Sequence, residues 1–302
     1  MNRVVKKVLF VFSSFLTDLL NRRPYFDKEA SRRGNAEDEL LHLDLVITEC
    51  CSLNCRDCSN LMQYYDHPCN LSSDEVINDL RKITGSLKIG ELNILGGEPF
   101  VNQKVLSAVL AFLTEEKADR VDSINIITNG TIVPGEECIN AMKNNPKTHV
   151  TLSNYGTLSS HQGELIEVLS CNGIGYTLID EAFYWLDFGR PVEYAESLEF
   201  KKRQYRNCYN RKHCNTLYRG GFYVCPRQAH AIRLGLIPDN KDEYVNLYNP
   251  AYRDRDDLRR AVINVVRSKQ YITACNYCIN GKYIHVPRGV QEKRLHSSDT
   301  DV

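Results

Sequence analysis

The sequence predicts an α/β protein built on a parallel sheet with right-handed crossovers. Two observations predict it. Short strand-like runs alternate with amphipathic helical segments from residue 43 to 180, and the unusual glycines and polar residues fall just past the strand ends.

The elements follow in order. LDLVIT (43–48) is a short, partly β-branched run that ends directly at a group of cysteines. Ser72 and Glu75 stand in the paired positions of a capping box that opens the helix VINDLRKI. ELNILGG (91–97) reads as the second strand and VLSAVLAFLTEE (105–116) as the second helix. SINIIT (123–128) with EECINAMKN (136–144), then HVTLSN (149–154) with GELIEVLSCN (163–172), repeat the unit twice. GYTLID (175–180) is a fifth strand, and 181–207 breaks the rhythm as a last strand plus connector. DLRRAVINVVRSKQ (257–270) reads as a helix leading into the last cysteine pair. An open sheet and a barrel both fit this pattern. In either, ligands bind at the carboxyl ends of the strands. Cys51, Gly96-Gly97-Glu98-Pro99, Thr128-Asn129-Gly130 and Ser153-Asn154 all sit there, so they read as one site.

Length and composition bound the rest. The 302 residues allow one large domain, or one of about 200 plus a smaller one. Lys+Arg and Asp+Glu are both 38, which gives no basic surface for nucleic acid. Residues 1–42 are expected to hold an amphipathic helix, with apolar residues from Val4 to Leu20 at helical spacing, and a linker. That helix lies on the domain or on a membrane surface. No run reaches the length of a spanning helix, and a cytoplasmic location is expected.

The 12 cysteines are clustered, too sparse for a disulfide scaffold and suggestive of metal. ECCSLNCRDCSN places Cys51, Cys55 and Cys58 at Cys-x3-Cys-x2-Cys spacing. Structural zinc wants four ligands. Four thiolates close a cubane, and three leave one iron open to a substrate or cofactor.

CSLNCRDC after the first strand resembles the signature of the radical S-adenosylmethionine (SAM) superfamily, and GGEP at 96–99 matches that family's second motif. The resemblance covers roughly residues 43–180 and implies a partial (β/α)6 TIM-like barrel. It implies a [4Fe–4S] cluster on Cys51, Cys55 and Cys58. Gly96, Gly97, Glu98 and Pro99 would bind the SAM amino group, Thr128 and Asn129 the ribose, and Ser153 and Asn154 the ribose or carboxylate. Asp57 departs from the pattern, because the family usually carries an aromatic residue there, near the adenine. Leu61 or Tyr64 are the candidates for that packing. The reaction implied is reductive cleavage of SAM to a 5′-deoxyadenosyl radical that removes a substrate hydrogen. Flavodoxin or ferredoxin would deliver the electron.

Cys208, Cys225, Cys275 and Cys278 resemble the small C-terminal twitch/SPASM-like domain that holds an auxiliary [4Fe–4S] cluster. Gly220-x4-Cys225 fits its pattern; Cys208, separated from Gly220 by eleven residues, fits better than the alternative Cys214. The organisation expected is a helix and linker to 42, a radical SAM core over 43–200, an auxiliary domain over 201–285 and a disordered polar tail over 286–302.

A fully ligated second cluster can accept an electron. This favours an oxidoreductase that dehydrogenates an alcohol carbon of a small molecule such as a sugar, cyclitol or nucleotide-linked glycan, or, with a thiol hydrogen-atom donor, epimerises it. A peptide- or protein-modifying enzyme forming a crosslink, a thioether or an inverted residue is the alternative. Arg227 and His230 are candidates for orienting substrate, or for a hydrogen bond to cluster sulfur. Trp185 and Asp187 would lie at the barrel mouth, as substrate contacts or as a packing aromatic and a turn aspartate. Cys69, Cys138 and Cys171 read as buried small residues. Cys69 and Cys214 are also candidate hydrogen-atom donors.

Overall fold

The computed structural model describes residues 38–179 and 184–293. The expected N-terminal helix and the last residues of the tail lie outside them. Five strands, β1 (Glu39–Val46), β2 (Lys88–Leu95), β3 (Val121–Thr128), β4 (Thr148–Ser153) and β5 (Gly175–Ile179), run parallel in the order in which they occur. The first four are each followed by a helix: α1 (Ser73–Ser86), α2 (Gln103–Glu115), α3 (Glu136–Asn144) and α4 (Gln162–Cys171) form the crossovers. The fold is α/β with a mostly parallel central sheet, consistent with a partial TIM-like barrel.

The two faces of this sheet differ. One carries rows such as Leu43–Leu92–Ile124 and Leu45–Ile94–Ile126–Val150, aligned by the register and packed with α1 to α4 in the main core. The other carries a ladder of polar side chains. Asn93 donates to Asp44 (2.9 Å), Asn125 to Asn93 (3.0 Å), and the Thr151 hydroxyl to Asn125 (2.8 Å). Strands covered by apolar groups on both faces read as unbroken apolar runs; the alternation of DLV and NIL here reflects one apolar and one polar face. Burial pushes the Asp44 carboxyl up to about 7, against the hydrogen bonds from Asn93 and Cys214.

The sixth strand departs from expectation. Residues 185–186 form β6 (Trp185–Leu186), which pairs outside the main sheet with β10 (His285–Val286). The main sheet instead continues from β1 into β7 (Thr216–Tyr218), parallel to it, then β8 (Gly221–Tyr223), antiparallel to β7, and β9 (Val245–Asn246), antiparallel to β8. The β7–β8 hairpin turns on Arg219 and Gly220, both with positive φ (47° and 72°), the conformation whose twist matches a two-residue hairpin.

The remaining helices are α5 (Leu198–Asn207), α6 (Tyr209–His213), α7 (Pro226–Arg233) and α8 (Arg255–Arg267). Leu61, Tyr205, Val224, Ala231, Ile272 and Ala274 belong to a second, smaller core beside the later cysteines. At α1 only half of the capping box forms: Ser72 accepts from the Glu75 amide (3.3 Å), while the Glu75 carboxylate pairs with Arg219 (3.4 Å). Among the described residues no helix is long and apolar enough to cross a membrane. Residues 290–292, within the tail expected to be disordered from 286, are hydrogen-bonded to the first cysteine loop.

Candidate active site

The chain leaving β1 carries Cys50 and Cys51 alongside the end of β2. The Gly97 amide donates to Thr48 O (3.0 Å) and the Glu98 amide to Cys50 O (2.9 Å). A Cβ on Gly97 would sit 2.1 Å from Cys50 O, and one on Gly96 would sit 2.3 Å from Thr48 O. Close backbone approach therefore demands both glycines.

Glu98 is fully buried. Its carboxylate accepts from Phe100 N (3.1 Å), Thr128 Oγ1 (2.8 Å) and Asn129 N (2.8 Å), tying the ends of β2 and β3 together. Burial outweighs those donors and pushes the carboxyl up to about 7. The Glu98 side chain is thus engaged within the fold, and its main-chain carbonyl accepts from Val101 N (3.0 Å).

Asn129 reaches the cysteine loop, donating to Ser52 Oγ (3.1 Å) and to Cys51 Sγ (3.8 Å). Ser159 joins the ends of β3 and β4, donating to Asn129 O (2.7 Å) and Ser153 O (3.3 Å). The first four strand ends thus converge, and they bring Cys51, Cys55, Cys58, Gly96, Gly97, Glu98, Thr128, Asn129, Ser153 and Asn154 to one rim. Leu61 is fully buried in the second core, while Tyr64 is half-buried.

Burial pushes the thiols up: Cys51 to about 12, Cys55 to about 11, and Cys58 in the same direction. Each of the first two is raised further by its neighbouring thiols. Three thiolates crowded out of water would need positive charge among them, which the irons of a cluster held by these residues would supply. Among the described residues no three Cys, His, Asp or Glu side chains close on a point as around a single ion. A cubane, whose thiolates sit on separate irons, asks for no such point.

A second group of thiols surrounds a cavity of about 30 Å³ lined by Cys208, Cys225, Cys275 and Cys278 with Phe188, Tyr205, Ile272 and Ala274. Cys208 and Cys225 stand at the N-terminal ends of α6 and α7, and amides of the first turn point at their sulfurs. Asn280 also donates to Cys208 Sγ (3.3 Å). Helix N-termini favour thiolate. Cys214 lies at the opposite end of α6, outside that lining, with its thiol against the Asp44 carboxyl.

Arg227, almost fully buried, also lines this cavity. It donates to Gly189 O (2.5 Å) and Tyr277 O (3.2 Å), and its charge acts on both Cys58 and Cys278. His230 is fully buried, with Nδ1 against the Tyr65 hydroxyl (2.8 Å), and burial lowers its pKa to about 4. Asp187 takes a turn role, accepting from Gly189 N (2.7 Å), and Trp185 packs edge-on against Tyr155 (5.7 Å). Cys69 is held between Glu49 (3.1 Å) and Arg219 (2.9 Å). Cys138 is buried as expected; Cys171, on the outer turn of α4, is exposed instead.

Residues 45–154 match the family model described as the Radical SAM superfamily. They form a radical SAM domain. The superfamily implies an enzyme with a [4Fe–4S] cluster that uses SAM for radical chemistry. No curated protein matches the chain. Among solved structures, native anSMEcpe with bound AdoMet and Cp18Cys peptide aligns at 17% identity and TM-score 0.37, covering 46% of this chain and 42% of that one. SuiB from Streptococcus suis aligns at 18% and 0.36, covering 46% of this chain and 32% of its own. SuiB bound to the precursor peptide SuiA aligns at 12% and 0.42, covering 85% and 73%. The chain thus spans less than half the length of the first two.

Sequence reasoning missed three parts of the site. They are Gln291 and Arg288 on the C-terminal segment, the Glu49 carboxylate with its arginines, and Asn129 as a partner of Cys51. Only the last carried a signal, its place in Thr128-Asn129-Gly130.

Proposed function

We propose that the chain is a radical SAM oxidoreductase with two clusters, one on Cys51, Cys55 and Cys58 and a second on Cys208, Cys225, Cys275 and Cys278. The supporting observation is that the thiols of Cys51, Cys55 and Cys58, at Cys-x3-Cys-x2-Cys spacing, share a rim with the strand-end groups of β2, β3 and β4. When bound, SAM and the first cluster supply the radical that takes a hydrogen atom, and the second cluster supplies an electron acceptor. A low-potential flavodoxin or ferredoxin is the proposed donor.

The chain's own residues bind and orient. The carbonyls of 96–98 receive the SAM ammonium, Thr128 and Asn129 face the ribose, and Ser153 and Asn154 the ribose or carboxylate. Glu98 acts as a positioning residue that fixes the ends of β2 and β3. Arg227 places a buried cation beside both thiol groups, while His230 is neutral and braces Tyr65. Cys208 is favoured as the ligand over Cys214, since helix amides meet its sulfur where Cys214 meets a carboxyl.

The polar face of the sheet, from Asp44 to Thr151, favours a polar substrate, and an alcohol carbon is the proposed target. A small polyol and a peptide with a hydroxyl side chain both present one, so the assay offers both. Anaerobically purified protein should hold about eight irons, four per cluster. Cys55→Ala should abolish 5′-deoxyadenosine formation. Cys275→Ala should lose about four irons and still cleave SAM without oxidising substrate. Zinc without sulfide would refute the reading, as would 5′-deoxyadenosine formation by Cys55→Ala.

A further inference from the structure

Residues 285–292 return from the far end of the chain to the first cysteine loop. Val286 pairs with Trp185 in the two-stranded sheet. The Arg288 guanidinium donates to Asn154 O and stacks over the Tyr155 ring (5.1 Å). Gly289, with φ of 67°, passes so close to Tyr155 that a Cβ would lie 2.9 Å from its ring.

The next three residues then pair with the loop between the first and third cysteines. Arg56 N donates to Val290 O (2.8 Å) and Glu292 N to Asn54 O (2.8 Å), which bridges Gln291 to Cys55. The Gln291 side chain works in two directions. Its Oε1 accepts from Asn54 N (2.8 Å), while its Nε2 donates to Gly289 O (2.7 Å) and to Cys55 Sγ (3.3 Å).

We propose that this C-terminal strap is part of the radical SAM site and that Gln291 is a positioning residue that sets the potential of the first cluster through its hydrogen bond to Cys55. The proposal rests on the cluster assignment above. An N–H donor on a ligating thiolate stabilises the more negative, reduced cluster, so hydrogen bonds to sulfur and exclusion of solvent both set the potential. The strap provides both. It covers Cys55, which is 8% exposed, and directs at its sulfur the side-chain amide of Gln291, a residue that itself lies at the surface. Asn129 offers Cys51 a longer contact of the same kind at 3.8 Å, so Gln291 is the closer donor.

The experiment compares Gln291→Met and Gln291→Glu with the wild type by anaerobic potentiometry followed by electron paramagnetic resonance. Glutamate keeps the acceptor for Asn54 N and loses the donor, so the loop stays anchored while the sulfur contact is lost. Expected is a lower midpoint potential of the first cluster in both variants, lower still with glutamate's added charge, and an unmoved second cluster. Loss of the first cluster's iron alone, with the second cluster's iron kept, is a stronger form of the same result. Wild-type potentials in both variants overturn the proposal while leaving the cluster assignment intact. A Cys55→Ala protein with full iron overturns that assignment, and the strap's role with it.

Discussion

Glu98 allows a prediction with a sign that can be worked from the structure. Its carboxyl is fully buried and raised from 4.5 to about 7. The folded protein therefore keeps a proton that the unfolded chain releases between those values. Stability falls as the pH rises through that window, and the loss is complete above pH 7. A shift of that size corresponds to roughly 3 kcal/mol at 1.36 kcal/mol per unit. Glu98→Gln removes the titration. It keeps one oxygen for Phe100 N and Thr128 Oγ1 but turns an NH2 toward Asn129 N, leaving a buried amide unpaired at about 1–3 kcal/mol. The two effects oppose each other and only one depends on pH. The variant should be clearly less stable than the wild type at pH 5, and the gap should shrink by roughly 2–3 kcal/mol by pH 8. Urea unfolding of both apo proteins at pH 5, 6, 7 and 8 measures this. The Asp44 carboxyl titrates near the same pH in both proteins and cancels in the difference. Parallel pH profiles would refute the assignment of this proton to Glu98.

Gly97→Ala should separate the cysteine loop from the end of β2, because the new methyl meets backbone at Cys50 rather than a movable side chain. A destabilisation of about 1–3 kcal/mol is expected, with weakened SAM binding by calorimetry. Cys208→Ser should cost about four irons and Cys214→Ser none, read by iron and sulfide analysis. Arg219→Met should destabilise by about 2 kcal/mol in urea, because it takes one of two cations from the buried Glu49 carboxylate.

The five parallel strands and the rim were legible because they are written locally. Alternation, the glycine pair and the cysteine spacing each lie within about ten residues of chain. The sixth parallel strand was misplaced for a physical reason. TLY at 216–218 is three residues long, and its strongest signal, the Arg219-Gly220 turn, was absorbed into the Gly-x4-Cys spacing. The strap was invisible for another. It is held by main-chain bonds between residues 54–56 and 290–292, and a polar composition says nothing about such pairing. Cys208 and Cys214 differ by spacing only slightly. The direction of a one-turn helix between them, which the sequence does not display, separates their electrostatics.

Glu49 explains why the two thiol groups hold a fixed relation. It directly precedes Cys50, and its side chain is fully buried. Burial works to raise its carboxyl, but the Tyr218 hydroxyl, Cys69 and Arg219 outweigh burial and hold it down at about 2, so it stays charged. One of its cations, Arg219 (3.1 Å), comes from the β7–β8 turn; the other, Arg233 (3.3 Å), comes from the last turn of α7. The first turn of that same helix begins at Cys225 and carries Arg227. Tyr65, from the first cysteine loop, meets His230 at the middle of the helix. The helix is therefore pinned to the first cysteine loop at its middle and end, and to the second thiol group at its start. Shifting it by a turn would strand an ionised carboxylate with one cation fewer in a buried site, a change that costs several kcal/mol. Arg227 is carried on that rigid element, and for this reason its charge reaches Cys58 and Cys278 together.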